Sequence, residues 1–238
     1  LETLAEFYSP AKPCSYLPDQ FARMHYELVT DLDIEEYQQR LVSGWRRFGR
    51  SLFEPACPRC QRCQSLRVPV SQFRPDRSQR RAWAANHGEV KLVIDEPSVT
   101  REKLRLSDRF HAFQSDHVGW HRTEAKDPDD YFEAFVDNPI PTEEWRYYLG
   151  ERLIGVGYVD RLPVGLSAIY FFHDPDERKR SLGTYNVLCA IEAARAAGLP
   201  HLYLGYFVAG CRSLEYKARF QPNEVLTPDG TWQPFLSR

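Results

Sequence analysis

Apolar residues recur along this chain with two different periods, and the change of period marks out its elements. Over residues 100–118, Leu106, Phe110, Phe113 and His117 are spaced four, three and four apart, one stripe of a helix. Over 181–197, Val187, Leu188, Ile191 and Ala194 keep helical spacing, and Gly198 followed by Pro200 supplies the stop. A further helix starts at Asp127, an N-cap carboxylate followed by Pro128 and by two acids, Asp129 and Asp130, at the positive end of the dipole. Between the helices, 144–149 and 153–159 flank Gly150-Glu151, a two-residue loop with glycine where a type II′ turn needs positive φ. Residues 164–172 add a third strand after the Leu162-Pro163 turn, which makes an antiparallel meander. Residues 201–206 are reached from it through a helix, and a strand reached by such a crossover lies parallel to its neighbour.

The first 88 residues have another character, rich in Cys, Arg, Pro and aromatics, with one helical pattern at 34–43. A short apolar run at 90–94 reads as a strand that Pro97 stops. The division predicted is a cysteine- and arginine-rich N-terminal domain over 1–95 and an acyltransferase-like domain over 96–238. The class is α+β, with the second domain an acetyltransferase-like (GNAT-type) mixed sheet and flanking helices. At 42% hydrophobic content, 238 residues suffice to bury a core. No apolar run reaches the 18 or so residues of a membrane span, and Glu2 and Glu6 stand where a signal peptide would be basic and then apolar, so a cytoplasmic protein without membrane association is expected.

The net charge of −2 conceals a strong asymmetry. Residues 44–81 hold ten arginines against two acids, Glu54 and Asp76, for a local +8, while the remainder of the chain carries −10. Arginine alone supplies that positive charge, and its planar fork suits phosphate and stacks on bases. A solvated basic surface has the same composition, but an RNA contact is the sharper reading, with Arg46, Arg47, Arg74, Arg77, Arg80 and Arg81 as the contacts.

Three of the six cysteines, Cys57, Cys60 and Cys63, have the C-x2-C-x2-C spacing, which lets three thiolates converge from one tight loop. Cys14 would complete a set of four, suited to zinc or to an iron–sulfur cluster, with Arg59 and Arg62 between the ligands to balance charge. Disulfides are disfavoured in an intracellular chain. Cys189 reads as a buried thiol on a helix, and Cys211 lacks a histidine partner in sequence. At 180–185, Arg-Ser-Leu-Gly-Thr-Tyr keeps the Arg180 and Gly183 of the acetyltransferase pyrophosphate loop but ends in bulky Tyr185, so an anion site at a helix start is indicated and the coenzyme A fit is not.

Cys14-Ser-Tyr-Leu-Pro18, Gly44-Trp-Arg-Arg-Phe-Gly49, Arg67-Val-Pro-Val70, the stretch from Phe73 to Arg81, that from Tyr203 to Arg212, and Tyr216-Lys-Ala-Arg-Phe220 together resemble the arginyl/leucyl-tRNA-protein transferase family, in its bacterial aspartate/glutamate leucyltransferase branch. The likeness runs in order from Cys14 to Trp232. It implies a leucyl-tRNA donor, acceptor proteins beginning with Asp or Glu, and marking of those proteins for degradation. No cofactor is required for such chemistry. One departure is Leu17, where eukaryotic relatives have the second cysteine of Cys-Gly-Tyr-Cys.

The reaction implied is aminolysis of an activated ester by an α-amine whose reference pKa is about 7.7–8.0, so positioning dominates and modest base help suffices. Asp174 and Asp176 are expected to bind the amine, with Tyr216 or a carboxylate taking its proton. Lys217, Arg219 and Arg212 are expected to hold the acceptor's acidic side chain, because paired cations grip a carboxylate. Two other readings share these residues: a coenzyme A-dependent acetyltransferase, and a non-catalytic RNA-binding module held by zinc.

Overall fold

The computed structural model describes residues 2–120 and 125–235. Its N-terminal elements are β1 (Glu2–Tyr8), β2 (Lys12–Pro13), β3 (Phe21–Ala22), β4 (Met24–Asp31), α1 (Ile34–Val42), β5 (Arg46–Phe48), β6 (Ser51–Pro55), β7 (Gln64–Pro69), α2 (Arg77–Ala84) and β8 (Val90–Asp95). There follow α3 (Arg101–Val118), α4 (Pro128–Tyr131), β9 (Thr142–Leu149), β10 (Arg152–Leu162), β11 (Gly165–His173), α5 (Leu182–Ala196), β12 (His201–Phe207), α6 (Arg212–Glu215), β13 (Glu224–Leu226) and β14 (Trp232–Pro234). They build an eight-stranded sheet in the order β14-β13-β7-β12-β11-β10-β9-β8, a four-stranded sheet in the order β1-β4-β6-β5, and a ribbon of β2 and β3.

The predicted meander is β9, β10 and β11, with Gly150 at φ 60° in its first turn. β12 joins β11 in parallel after the α5 crossover, and every other neighbouring pair of the large sheet is antiparallel. The sheet is therefore mixed, and helices cover both faces. Ile191, Ala194 and Leu188 of α5 pack against Leu166, Ile154 and Leu202 on one side. Leu106 and Phe110 of α3 pack with Val156, Tyr158 and Phe172 on the other. β7 and β8 both precede residue 96, so the large sheet draws strands from either side of the expected domain boundary. The helix begun at Asp127 is a single α turn that widens into a π turn over Phe132–Val136.

Two buried ion pairs tie the layers together. Lys103 of α3 meets Glu144 of β9 at 2.5 Å, and Arg47 of β5 meets Asp160 of β10 at 2.6 Å, all four side chains at most 2% exposed. Removing one partner of such a pair costs about 3–5 kcal/mol, since the other charge is left uncompensated. No helix among the described residues is long and apolar enough to cross a membrane.

Candidate active site where two strands part

β11 and β12 pair at only two positions, Leu166 with Leu202 and Ser167 with Tyr203. Their approach is close: Gly165, at φ 143°, lies where an added Cβ would stand 2.1 Å from the His201 carbonyl oxygen. β12 stays paired with β7 from His201 to Phe207, with a register shift between Tyr203 and Gly205, while β11 stays with β10 as far as His173. β11 and β12 separate beyond Ser167 and Tyr203, and Ala168 to Phe171 are left partly exposed.

Two cations occupy the parting. Arg46, from β5, donates from Nη2 to the Ala168 carbonyl at 2.9 Å. Lys217 donates from Nζ to the Tyr206 carbonyl at 2.8 Å. Both heads flank Gly205 (φ 79°), where a Cβ would stand 3.5 Å from Lys217 Nζ and 3.6 Å from the Arg46 guanidinium. Burial and the neighbouring Arg46 charge bring the Lys217 amine down to about 7. The Tyr206 hydroxyl, donating to the Gly44 carbonyl at 3.0 Å, fixes the floor, and burial raises its pKa. Tyr216, 42% exposed, and Arg219 line a cavity of about 30 Å³ with Ser78, Gln79, Thr184 and Phe220 beside the start of α5. Arg219 reaches Asp76 at 3.3 Å, and Arg212 is exposed on α6.

The cysteines lie next to this site. Cys14, Cys60 and Cys63 pack around Leu17, Val208 and Cys211, on the turn between β12 and α6. Cys57 Sγ accepts from the Arg23 amide at 3.5 Å, and all six cysteines are free thiols. Burial, and then the neighbouring Cys57, Cys14 and Cys60 sulfurs, push the Cys63 thiol up to about 12. Among the described residues no three of these sulfurs lie within 4.8 Å of one another. Leu17 is buried in the same cluster, with Val208 and Cys211.

Asp174 and Asp176 sit elsewhere, at the far end of β11. Asp174, 1% exposed, accepts from Arg109 at 2.9 Å, from Arg152 at 2.8 Å and from the Asp176 amide at 3.0 Å, so its oxygens are engaged. Asp176 is largely exposed and pairs with Arg109 at 2.8 Å. Arg180 is likewise engaged, donating to the Ala85 carbonyl, Glu89 and Glu177, while Gly183 has open space around it. Tyr185, 3% exposed, packs on Trp83 and Tyr147.

The arginines expected to meet RNA fall into two groups. Arg74, Arg77, Arg80 and Arg81 are exposed, the last three on α2. Arg47 is enclosed, its guanidinium donating to Asp160, Gly49, Asn138 and Thr142, so it is a structural cation and not an RNA contact. Sequence reading missed Arg46 as a member of the cation pair, since nothing local distinguishes it from Arg47. It also missed Glu6, His25 and Glu27, which gather on the inner face of the four-stranded sheet with Glu27 paired to Arg40 at 2.7 Å.

Comparison with known proteins gives the family. Residues 12–81 match the model of the arginine-tRNA-protein transferase N terminus, and residues 102–227 that of its C terminus. The chain is 39% identical over 223 residues to an aspartate/glutamate leucyltransferase of Nitrosococcus oceani, covering 92% of each protein. It is 36% identical over 214 residues to one of Campylobacter jejuni (strain 81-176), covering 90% of this chain and 89% of that one. Among solved structures it is similar to the C-terminal domain (DUF2156) of a putative lysylphosphatidylglycerol synthetase from Agrobacterium fabrum, with TM-score 0.48 and 14% identity over 72% of this chain and 58% of that one. With both halves matched in order and the relatives spanned almost end to end, the chain belongs to the arginine-tRNA-protein transferase family.

Proposed function

We propose that the protein transfers leucine from leucyl-tRNA to the α-amine of proteins beginning with Asp or Glu, marking them for degradation. The observation that supports the acceptor choice is the pairing of Arg46 and Lys217 beside Gly205. Two cations in a cleft, Arg46 buried and Lys217 partly buried, with no carboxylate bonded to either among the described residues, suit an incoming acidic side chain. Arg212 and Arg219 are exposed cations of the same C-terminal segment as Lys217. In the reaction the amine nitrogen bonds to the leucyl carbonyl carbon, the ester bond to the terminal ribose breaks, and the proton lost by the amine ends on the ribose oxygen. Tyr216, which lines the cavity beside the start of α5, is the hydroxyl assigned to take that proton. The parting of two parallel strands beside a helix N-terminus supports an acetyltransferase-like arrangement of this site. Tyr185 argues against coenzyme A, because its ring is packed into the core where the pyrophosphate loop requires a small residue.

A metal held by Cys14, Cys57, Cys60 and Cys63 would offset the penalty that burial, and then the neighbouring sulfurs, place on ionising Cys63, but it would require the sulfurs to draw closer than they stand here, where no three lie within 4.8 Å of one another among the described residues. A zinc would need the four thiolates drawn together, and an iron–sulfur cluster would accept them further apart. Either would brace the β12–α6 turn. Incubation of labelled leucyl-tRNA and arginyl-tRNA with peptides beginning in Asp, Glu or Ala tests the whole reading. Leucine on the Asp and Glu peptides alone is expected; arginine transfer, or equal labelling of the Ala peptide, would overturn it.

A further inference from the structure

The two faces of the four-stranded sheet differ in chemistry. Its inner face, covered by Tyr37 and Leu41 of α1, collects the acids Glu6, Glu27 and Glu54 around His25. On its outer face the register sets Phe7 opposite Tyr26, Tyr26 opposite Phe53, and Phe53 opposite Arg46. Directly opposed residues share a face, so these four form one row across all four strands. The adjoining row is Ala5, Leu28, Ser51 and Phe48. Neither row contains an acid.

The rings are continuous as well as aligned. Centroids lie 5.3 Å apart for Phe7 and Tyr26, 6.1 Å for Tyr26 and Phe53, and 5.9 Å for Phe53 and Phe48. Phe48 then meets Tyr170 of β11 at 5.8 Å, inside the parting of β11 and β12. Phe7 is 44% exposed, and Tyr26 and Phe53 are partly exposed, in none of the core clusters among the described residues. A row of rings held out of the core, free of acids, and running from solvent to a cation in the reaction cleft has the composition of a base-stacking platform.

We propose that the outer face of this sheet holds the unpaired 3′ end of the donor tRNA, its bases stacking on Phe7, Tyr26 and Phe53. This rests on the donor being an aminoacyl-tRNA. The ester is attached to the terminal ribose, so when it lies in the cleft the preceding nucleotides must run over an adjoining surface. The aromatic row ends at that cleft, where Arg46 closes it. Stacking tolerates any base, because every base has a π face.

The test measures binding without turnover, using uncharged leucine tRNA either intact or trimmed of its unpaired 3′ nucleotides. Tyr26→Leu keeps apolar bulk and removes the ring; Tyr26→Phe keeps the ring. Stacking of one base on a ring is worth about 1–3 kcal/mol, so Tyr26→Leu should weaken intact tRNA about 5- to 150-fold while trimmed tRNA stays within about twofold and Tyr26→Phe binds as the parent does. Unchanged affinity for intact tRNA would overturn the proposal. Equal weakening of both tRNAs would also overturn it, by showing that the ring serves the fold. A rise in peptide KM with tRNA binding intact would assign the face to the acceptor chain instead. If the parent enzyme transfers arginine and not leucine, the donor assignment fails, yet the intact-versus-trimmed comparison made with arginine tRNA still decides the platform.

Discussion

Two charged centres lie along β11, one at Ala168 and one beyond His173, and differ in one respect. At the end of β11, Asp174 is enclosed by Arg109, Arg152 and the Asp176 amide, and the acids and cations there satisfy each other. At the parting of β11 and β12, Arg46 and Lys217 donate only to backbone carbonyls, and no carboxylate answers their charge among the described residues. The first centre is complete without a ligand, whereas the second holds two cationic groups together at a cost that a bound anion relieves, or that Lys217 escapes by losing its proton. A full complement of partners therefore marks structure, and a deficit of partners marks the site.

The strongest way to break that contrast is to remove a cation from the incomplete centre. Lys217→Ala or Arg46→Met should raise KM for an Asp peptide by roughly 30-fold or more, the cost of about 2–5 kcal/mol for truncating one side of a desolvated charge pair, while tRNA affinity stays near the parent's for Lys217→Ala. Peptide titrations under leucyl-tRNA saturation measure it. Loss of both substrates together for Lys217→Ala would deny the acceptor role.

Asp174→Asn should act on the fold. Its lost charge-assisted hydrogen bonds are worth about 1.5–3 kcal/mol, seen as a lower midpoint in urea, with peptide KM unchanged below the transition. A fall in kcat/KM at full folding would return Asp174 to the amine-binding role.

The contrast extends to the arginines, with Arg47 saturated and those on α2 exposed. Changing Arg77, Arg80 and Arg81 to Ala should flatten the plot of log affinity for tRNA against log salt by about two to three units, since each phosphate contact contributes about 0.7–0.9. An unaltered slope places the RNA on another surface.

The smallest effect is a pH dependence. A bound carboxylate favours protonated Lys217, whose amine titrates at about 7 in the free protein through burial and Arg46. Acceptor affinity is thus complete below pH 7 and falls above it, by up to about tenfold per unit. Lys217→Arg should remove the dependence. For stability the sign is opposite: a lysine depressed from 10.5 binds fewer protons folded than unfolded between pH 7 and 10.5, so its contribution grows more favourable as pH rises through that window.

The helices α3 and α5, the hairpin at Gly150 and the parallel entry of β12 were legible because apolar period and turn chemistry agree there. The four-stranded sheet was hidden because its alternation reads backwards. In β4 the buried positions include His25 and Glu27, while Met24, Tyr26 and Leu28 face outward. α2 exposes most of its surface and buries only Gln79 and Ala82, so its one clear signal was the capping box of Asp76 and Gln79. The cation pair was half legible: Lys217 stood in a recognisable motif, but Arg46 and Arg47 are neighbours whose fates differ only because strand side chains alternate.

That alternation gives β5 a mechanical role. From one three-residue strand, Arg47 bolts the four-stranded sheet to β10 through Asp160, and Arg46 bolts it to β11 through the Ala168 carbonyl. Fastened through both faces, the sheet has no hinge at this junction and acts as a fixed gauge for whatever lies along it. A donor tail with one nucleotide too many or too few would then present its ester outside the cleft, so the enzyme would sort RNA ends by length without reading a single base.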